Sequence, residues 1–117
     1  MRKAVIAILA IGSLIVGASS AAAAPKTLVG TVGPGYTISF TLNGAKLKTI
    51  KAGTYNYVVT DKSTMHNFSI DGPGVEKDLT SVGFKGTKRG SFTLTKGTYT
   101  YECTPHQGSM RGTFTVS

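Results

Sequence analysis

Beyond residue 26 the side chains change character at every second position, and that period restricts the chain to strands. Tyr36-Thr37-Ile38-Ser39-Phe40-Thr41-Leu42, Ser91-Phe92-Thr93-Leu94-Thr95, Thr98-Tyr99-Thr100-Tyr101-Glu102-Cys103 and Gly112-Thr113-Phe114-Thr115-Val116 all alternate large or apolar residues with small polar ones. A strand turns successive side chains to opposite faces, so this pattern describes sheets with one face buried and the other wet. The polar partners are mostly Thr, whose branched Cβ suits a pleated surface. Leu28 to Val32, Tyr55 to Thr60 and His66 to Ile70 are further strand segments. Gly33-Pro34-Gly35, Asn43-Gly44, Asp71-Gly72-Pro73-Gly74 and Lys96-Gly97 punctuate them, and Asn43-Gly44 predicts a tight hairpin turn. Only Val75 to Leu79 reads as a short helical turn. Seven or eight short strands at this spacing, without repeat or linker, predict one all-β domain, a sandwich or a barrel. Tyr99, Tyr101, Phe92 and Phe114 are expected in its core, and Glu102, on the opposite parity, at its surface.

The first 24 residues follow other rules. Met1-Arg2-Lys3 precedes an apolar run from Ala4 to Val16, broken only by Gly12 and Ser13, and then a tract of Gly, Ala and Ser. A basic start, an apolar centre and an Ala-x-Ala end mark a secretory signal peptide. Cleavage after Ala23 places Ala21 and Ala23 at the two selective positions, which divides the chain into a signal over 1–23 and a domain over 24–117. The competing reading is an uncleaved membrane anchor, but its second half is only weakly apolar. No cysteine stands near the junction to carry a lipid.

Loss of Arg2 and Lys3 leaves 11 basic against 5 acidic residues, a net charge of +6. Such a surface suits an acidic partner or an anionic cell envelope, and a solvated basic face that keeps a small domain soluble is an equal reading. The lysines and arginines are scattered without a dense run, and export removes the chain from nucleic acid, so no nucleic-acid role is expected.

The chain has one cysteine, Cys103. Exported proteins meet an oxidising compartment in which cysteines pair. A lone thiol there must be buried, joined to another chain, or bound to a metal. Its neighbours are informative. The two histidines and the cysteine fall within two short segments, Met65-His66-Asn67-Phe68 and Cys103-Thr104-Pro105-His106-Gln107-Gly108-Ser109-Met110. The second lies between two alternating runs and is therefore a loop at one end of the sandwich. Pro105 stiffens that loop. If the strand of His66 is a neighbour, two imidazoles, one thiolate and one thioether can meet at a point. Two His and a Cys with a weak axial Met describe a blue-copper electron-transfer site, whereas structural zinc prefers more cysteines. Met65 reads as a packing or loop residue. A nucleophilic reading of Cys103 with His106 lacks an orienting acid, and the short loop spacing places that histidine poorly.

These segments resemble the cupredoxins, the family of plastocyanin, azurin, amicyanin and pseudoazurin. The resemblance covers residues 26–117 and is strongest at His66-Asn67-Phe68, at Tyr99-x-Tyr101-x-Cys103 and at Cys103-Thr-Pro-His106-Gln-Gly. It implies a cupredoxin-like Greek-key β-sandwich of seven or eight strands. It implies one copper ion, cycling between Cu(II) and Cu(I), with His66, Cys103 and His106 as strong ligands and Met110 as the weak axial one. It also implies a bridge from the Asn67 side chain to Thr104. Family members differ in the gap between the last His and the Met, which governs the axial bond and the potential.

The implied function is one-electron transfer outside the cytoplasm, by a monomer, to or from a redox-partner protein with an acidic surface. The port would be His106, flanked by Pro105, Gly108 and an exposed rim of Met110. A closed four-ligand site leaves no position for a substrate, so no enzymatic activity is expected. Two other readings remain open from the residues alone. One is an envelope copper carrier or scavenger that delivers metal instead of electrons. The other is a binding module that has lost its redox role.

Overall fold

The structure is a computed structural model that describes residues 24–117; the export segment expected over 1–23 lies outside the described residues. Ten strands follow one another: β1 (Thr27–Val32), β2 (Ile38–Leu42), β3 (Ala45–Lys46), β4 (Thr49–Ile50), β5 (Gly53–Asp61), β6 (Phe68–Asp71), β7 (Glu76–Thr80), β8 (Gly86–Leu94), β9 (Gly97–Glu102) and β10 (Arg111–Val116). They form two five-stranded sheets, in the orders β3-β2-β1-β5-β8 and β4-β10-β9-β6-β7. Neighbours are antiparallel except β1 with β5 and β10 with β4, which run parallel. The chain changes sheet between β3 and β4, between β4 and β5, between β5 and β6, between β7 and β8 and between β8 and β9, which makes a Greek-key sandwich.

The expected strands are all present, with altered ends. The run from Tyr36 becomes regular only at Ile38, and that from His66 only at Phe68. The two-residue strands β3 and β4 were too short to show a period. At Asn43-Gly44 the expected turn joins β2 to β3, with φ of 52° and 79° at its two residues, and Leu42 pairs with Ala45 across it. Positive φ at both centres is the twist that a two-residue hairpin needs.

The helical turn expected near Val75 to Leu79 is not formed. Glu76–Thr80 is instead strand β7, paired antiparallel with β6. Its alternation is hidden for two reasons. It is an edge strand, and its Glu-Lys-Asp run faces solvent as charged edge residues commonly do. The β6–β7 register also shifts between Phe68 and Ser69, so that Thr80 and Asp78 oppose consecutive residues.

The inward parity of each strand supplies the core. Leu28, Val32, Phe40 and Val59 from one sheet and Phe68, Ile70, Tyr99 and Val116 from the other have no exposed surface. The ring of Phe40 meets Phe68, Tyr101 and Phe114 of the facing sheet at centroid distances of 5.0, 5.5 and 6.0 Å, edge to face in each case. Rings at these separations add to the burial that each already provides. Glycine makes room for them. A Cβ on Gly30 would lie 2.9 Å from the Phe68 ring, and one on Gly112 would lie 2.2 Å from the Tyr101 ring. At the end of β9 remote from Cys103, the Tyr99 hydroxyl donates to Thr95 O at 2.9 Å. It accepts from Thr95 N at 3.0 Å and Gly74 N at 2.8 Å, which ties two turns together.

One feature of this topology places the site. Strand β6 is antiparallel to β9, with Ser69 opposite Glu102. The residues just before β6 therefore lie beside those just after β9. His66 and Cys103 belong to those two groups.

Candidate metal centre

Cys103 follows the last residue of β9, and Met110 precedes the first residue of β10. Cys103 N donates to Met110 O at 3.0 Å and closes the loop between them. Inside it, Thr104–His106 form a single 3-10 turn with Pro105 near its start, and His106 O accepts from Ser109 N and Met110 N at 3.1 and 2.9 Å. A loop bonded to itself in this way holds its side chains at fixed angles.

Three donor atoms converge at this end of the sandwich. His66 Nδ1 lies 3.1 Å from His106 Nδ1, and Cys103 Sγ lies 3.6 Å from the first and 3.5 Å from the second. A point equidistant from the three atoms is about 2.0 Å from each, the length of a metal–imidazole bond and about 0.3 Å short of a metal–thiolate bond. No other group of three His, Cys, Asp or Glu is gathered in this way among the described residues. Cys103 has no exposed surface, His66 is 2% exposed, and His106 is only partly covered. Two imidazole nitrogens and a sulfur brought to one buried point suit a soft or borderline cation.

The surroundings fix the donors. Asn67 Nδ2 donates to Thr104 Oγ1 at 3.0 Å, and Asn67 Oδ1 accepts from Thr104 N at 2.7 Å. This is the bridge that the resemblance implied, made twice, and it joins the two ligand-bearing segments directly. Met110 is fully buried. The exposed methionine rim expected beside His106 is thus absent, because the Met110 backbone is drawn in by its bonds to Cys103 and His106. Tyr36 occupies the rim. Its ring stands edge-on to both His66, at 5.6 Å, and His106, at 4.9 Å, while remaining 61% exposed. The alternation predicts Tyr36 on a strand; the Gly33–Thr37 loop, closed by Gly33 N to Thr37 O at 2.9 Å, carries it to the site instead.

His106 stands closer to Cys103 than the loop spacing predicts. His106 Nδ1 is within 3.5 Å of the sulfur, so proximity does not exclude that chemistry. The sulfur itself has no exposed surface.

A family model described as copper binding proteins of the plastocyanin/azurin family matches residues 31–117. The chain belongs to this family. Its three converging side chains are arranged as a type 1 copper site, and copper is the cofactor of this cupredoxin. Solved structures agree on the fold. A rusticyanin structure is 26% identical with a TM-score of 0.52, over 80% of each chain. Auracyanin A, a "blue" copper protein from the green thermophilic photosynthetic bacterium Chloroflexus aurantiacus, gives a TM-score of 0.55 at 20% identity, over 80% of this chain and all of its own. An auracyanin from Roseiflexus castenholzii gives 0.53 at 22% identity, over 80% and 98%. A search of curated proteins gave no significant match.

Proposed function

We propose that this cupredoxin is exported, through the segment over 1–23, and carries one electron at a time between partner proteins. His66, Cys103 and His106 would hold the copper as strong ligands, and Met110 would complete the set as a weak one. Copper supplies one-electron chemistry when bound. The chain's task is to keep one geometry for both charge states, so that little rearranges when an electron moves.

The observation that carries this reading is the convergence of three donors on a point that two segments have already been locked around. The Asn67–Thr104 pair and the self-bonded loop tie together the two segments that carry the donors. Outer bonds of this kind orient metal ligands and tune the metal. Burial of His66, Cys103 and Met110 opposes ready metal exchange, which counts against a carrier that delivers copper.

His106 is the natural port, because it is the one donor residue of the three that is partly exposed. Tyr36 stands against it, and three of the four large exposed hydrophobic residues, Tyr36, Met65 and Val82, lie on loops of this end. The loop of Val82 is joined there by Gly83 N to Thr64 O at 2.9 Å. Charge distribution supports an acidic partner. Lys62 and Lys85 flank these loops, and the only acid beside them, Asp61, is buried. The four other carboxylates, Asp71, Glu76, Asp78 and Glu102, stand on the outer face of β6, β7 and β9, and Glu102 is opposite Arg111. Association at such an end should weaken with salt.

The test is to add Cu(II) to the apoprotein and record its visible spectrum. An intense thiolate-to-copper band that bleaches and returns on reduction and reoxidation is expected, with electron self-exchange faster than metal loss. Cys103→Ser should be colourless. A blue Cys103→Ser variant, or a colourless wild type, would overturn the reading.

A further inference from the structure

Asp61 is a buried carboxylate that the metal centre does not use. It ends β5 on the inward parity of Tyr55, Tyr57 and Val59 and is 1% exposed. A charge so placed is costly unless its oxygens are bonded. Both are. Oδ1 accepts from Ser63 N at 3.1 Å, and Oδ2 accepts from the Thr80 hydroxyl at 2.9 Å.

The direction of these bonds is determined. An ionised carboxylate only accepts, so Thr80 must give it its single hydrogen. The Thr80 oxygen is then free to accept, and Phe68 N donates to it at 2.9 Å. That bond serves Phe68 at the point where the β6–β7 register shifts. On the other side, Ser63 O accepts from His66 N at 3.3 Å, and Ser63 Oγ accepts from Met65 N at 3.1 Å. One carboxylate therefore reaches the main chain on both flanks of His66-Asn67, through Ser63 before the pair and through Thr80 after it.

We propose that Asp61 is the positioning residue for the His66 side of the metal centre. This rests on His66 being a ligand, as argued above. The carboxylate acts through the backbone. It sets where His66 Nδ1 points, and it sets where Asn67 must stand to bridge to Thr104. Replacement by Asn keeps size and shape but brings an N–H to one of two partners. Facing Thr80, it leaves the hydroxyl hydrogen without an acceptor; facing Ser63, it sets donor against donor. A buried polar hydrogen left unmatched is enough to shift the arrangement.

The test compares Asp61→Asn, Thr80→Val and Thr80→Ser with the wild type in two arms. In the apoprotein, amide hydrogen exchange is followed by NMR. Faster exchange is expected at Ser63, His66 and Phe68 in Asp61→Asn and at Phe68 in Thr80→Val, with Tyr101 and Phe114 unchanged. In the copper-loaded protein, affinity is measured against a competing chelator, together with the visible band and the copper hyperfine splitting. Asp61→Asn and Thr80→Val should lose about 10- to 100-fold in affinity, the range of outer-shell changes at metal sites. They should also shift the band, and Thr80→Ser should restore wild-type behaviour. A general loss of stability would instead raise exchange throughout and leave the spectrum of the folded molecules unaltered, which would overturn the proposal. So would an Asp61→Asn protein with wild-type affinity, spectrum and exchange. If Asp61→Asn does not fold, the Thr80→Val and Thr80→Ser pair decides by the same measures. If the wild type binds no copper, the ligand reading fails, and the exchange arm still decides the role of Asp61.

Discussion

Asn67 and Thr104 exchange two hydrogen bonds, 3.0 Å from side chain to side chain and 2.7 Å from main chain to side chain, across 37 residues of sequence. Asn67 is 3% exposed while Thr104 is exposed, so the pair is shielded from water on the Asn67 side. Each bond joins the segment of His66 to the loop of Cys103 and His106. Asn67→Ala should cost about 2 kcal/mol of stability, from two lost bonds and an unsatisfied Thr104 N–H. It should also weaken copper binding about 10-fold or more. Urea unfolding of the apoprotein and chelator competition of the loaded protein measure the two effects separately.

Tyr36 covers the two imidazoles from outside. Because it is mostly exposed, Tyr36→Ala should change stability by no more than about 1.5 kcal/mol, the upper range for an aromatic pair. Its larger effect should fall on His106, whose ring gains solvent on the side that Tyr36 shields. NMR relaxation of the His106 ring should report greater mobility, and electron transfer with a redox partner should change while the visible band stays. An unchanged ring and rate would show that Tyr36 is a bystander.

Two glycines near the metal end should answer differently to the same substitution. In Gly112→Ala the new Cβ would meet the Tyr101 ring at 2.2 Å, and that ring is held among Phe40, Phe68 and Phe114. Overpacking of this sort should cost about 1–3 kcal/mol. Gly108→Ala has nothing within 4 Å and no positive φ, so it should be neutral or slightly stabilising, by up to about 1 kcal/mol. Thermal midpoints of the two apoproteins provide the comparison.

Burial raises the phenols of Tyr55 and Tyr101 above their ordinary value of 10.0. In the unfolded chain both lose their protons near that value, while the folded chain holds them to higher pH. The unfolded state then binds fewer protons, and stability falls as pH rises. Stability should therefore show no slope from these groups below the ordinary phenol range and should decline through it. Tyr101→Phe should remove part of that decline. Urea midpoints measured across the alkaline range test the sign.

Most of the strands were legible because burial and alternation are two views of one fact. Tyr99, Tyr101, Phe92 and Phe114 fall on inward parity, and all four are buried. Asp61 was equally legible in principle. It continues the parity of Tyr55, Tyr57 and Val59 one residue beyond the alternating run that ends at Thr60. Strand β7 was not legible, since a charged edge strand with a bulged partner has no period to read. Tyr36 was misplaced because Gly33-Pro34-Gly35 and the residues after it form a loop before the alternation takes hold.

The types of the converging donors were set by the sequence alone: one thiol and two imidazoles confined to two short segments limit the chemistry to a soft or borderline metal. Their arrangement was decided elsewhere. Only the antiparallel pairing of β6 with β9 sets His66 beside Cys103, the inward fold of the 103–110 loop hides Met110, and the Gly33–Thr37 loop carries Tyr36 to the rim. The β6–β9 pairing depends on bonds between residues far apart in the chain, and the loop closures on main-chain bonds, neither of which a pattern of side chains records.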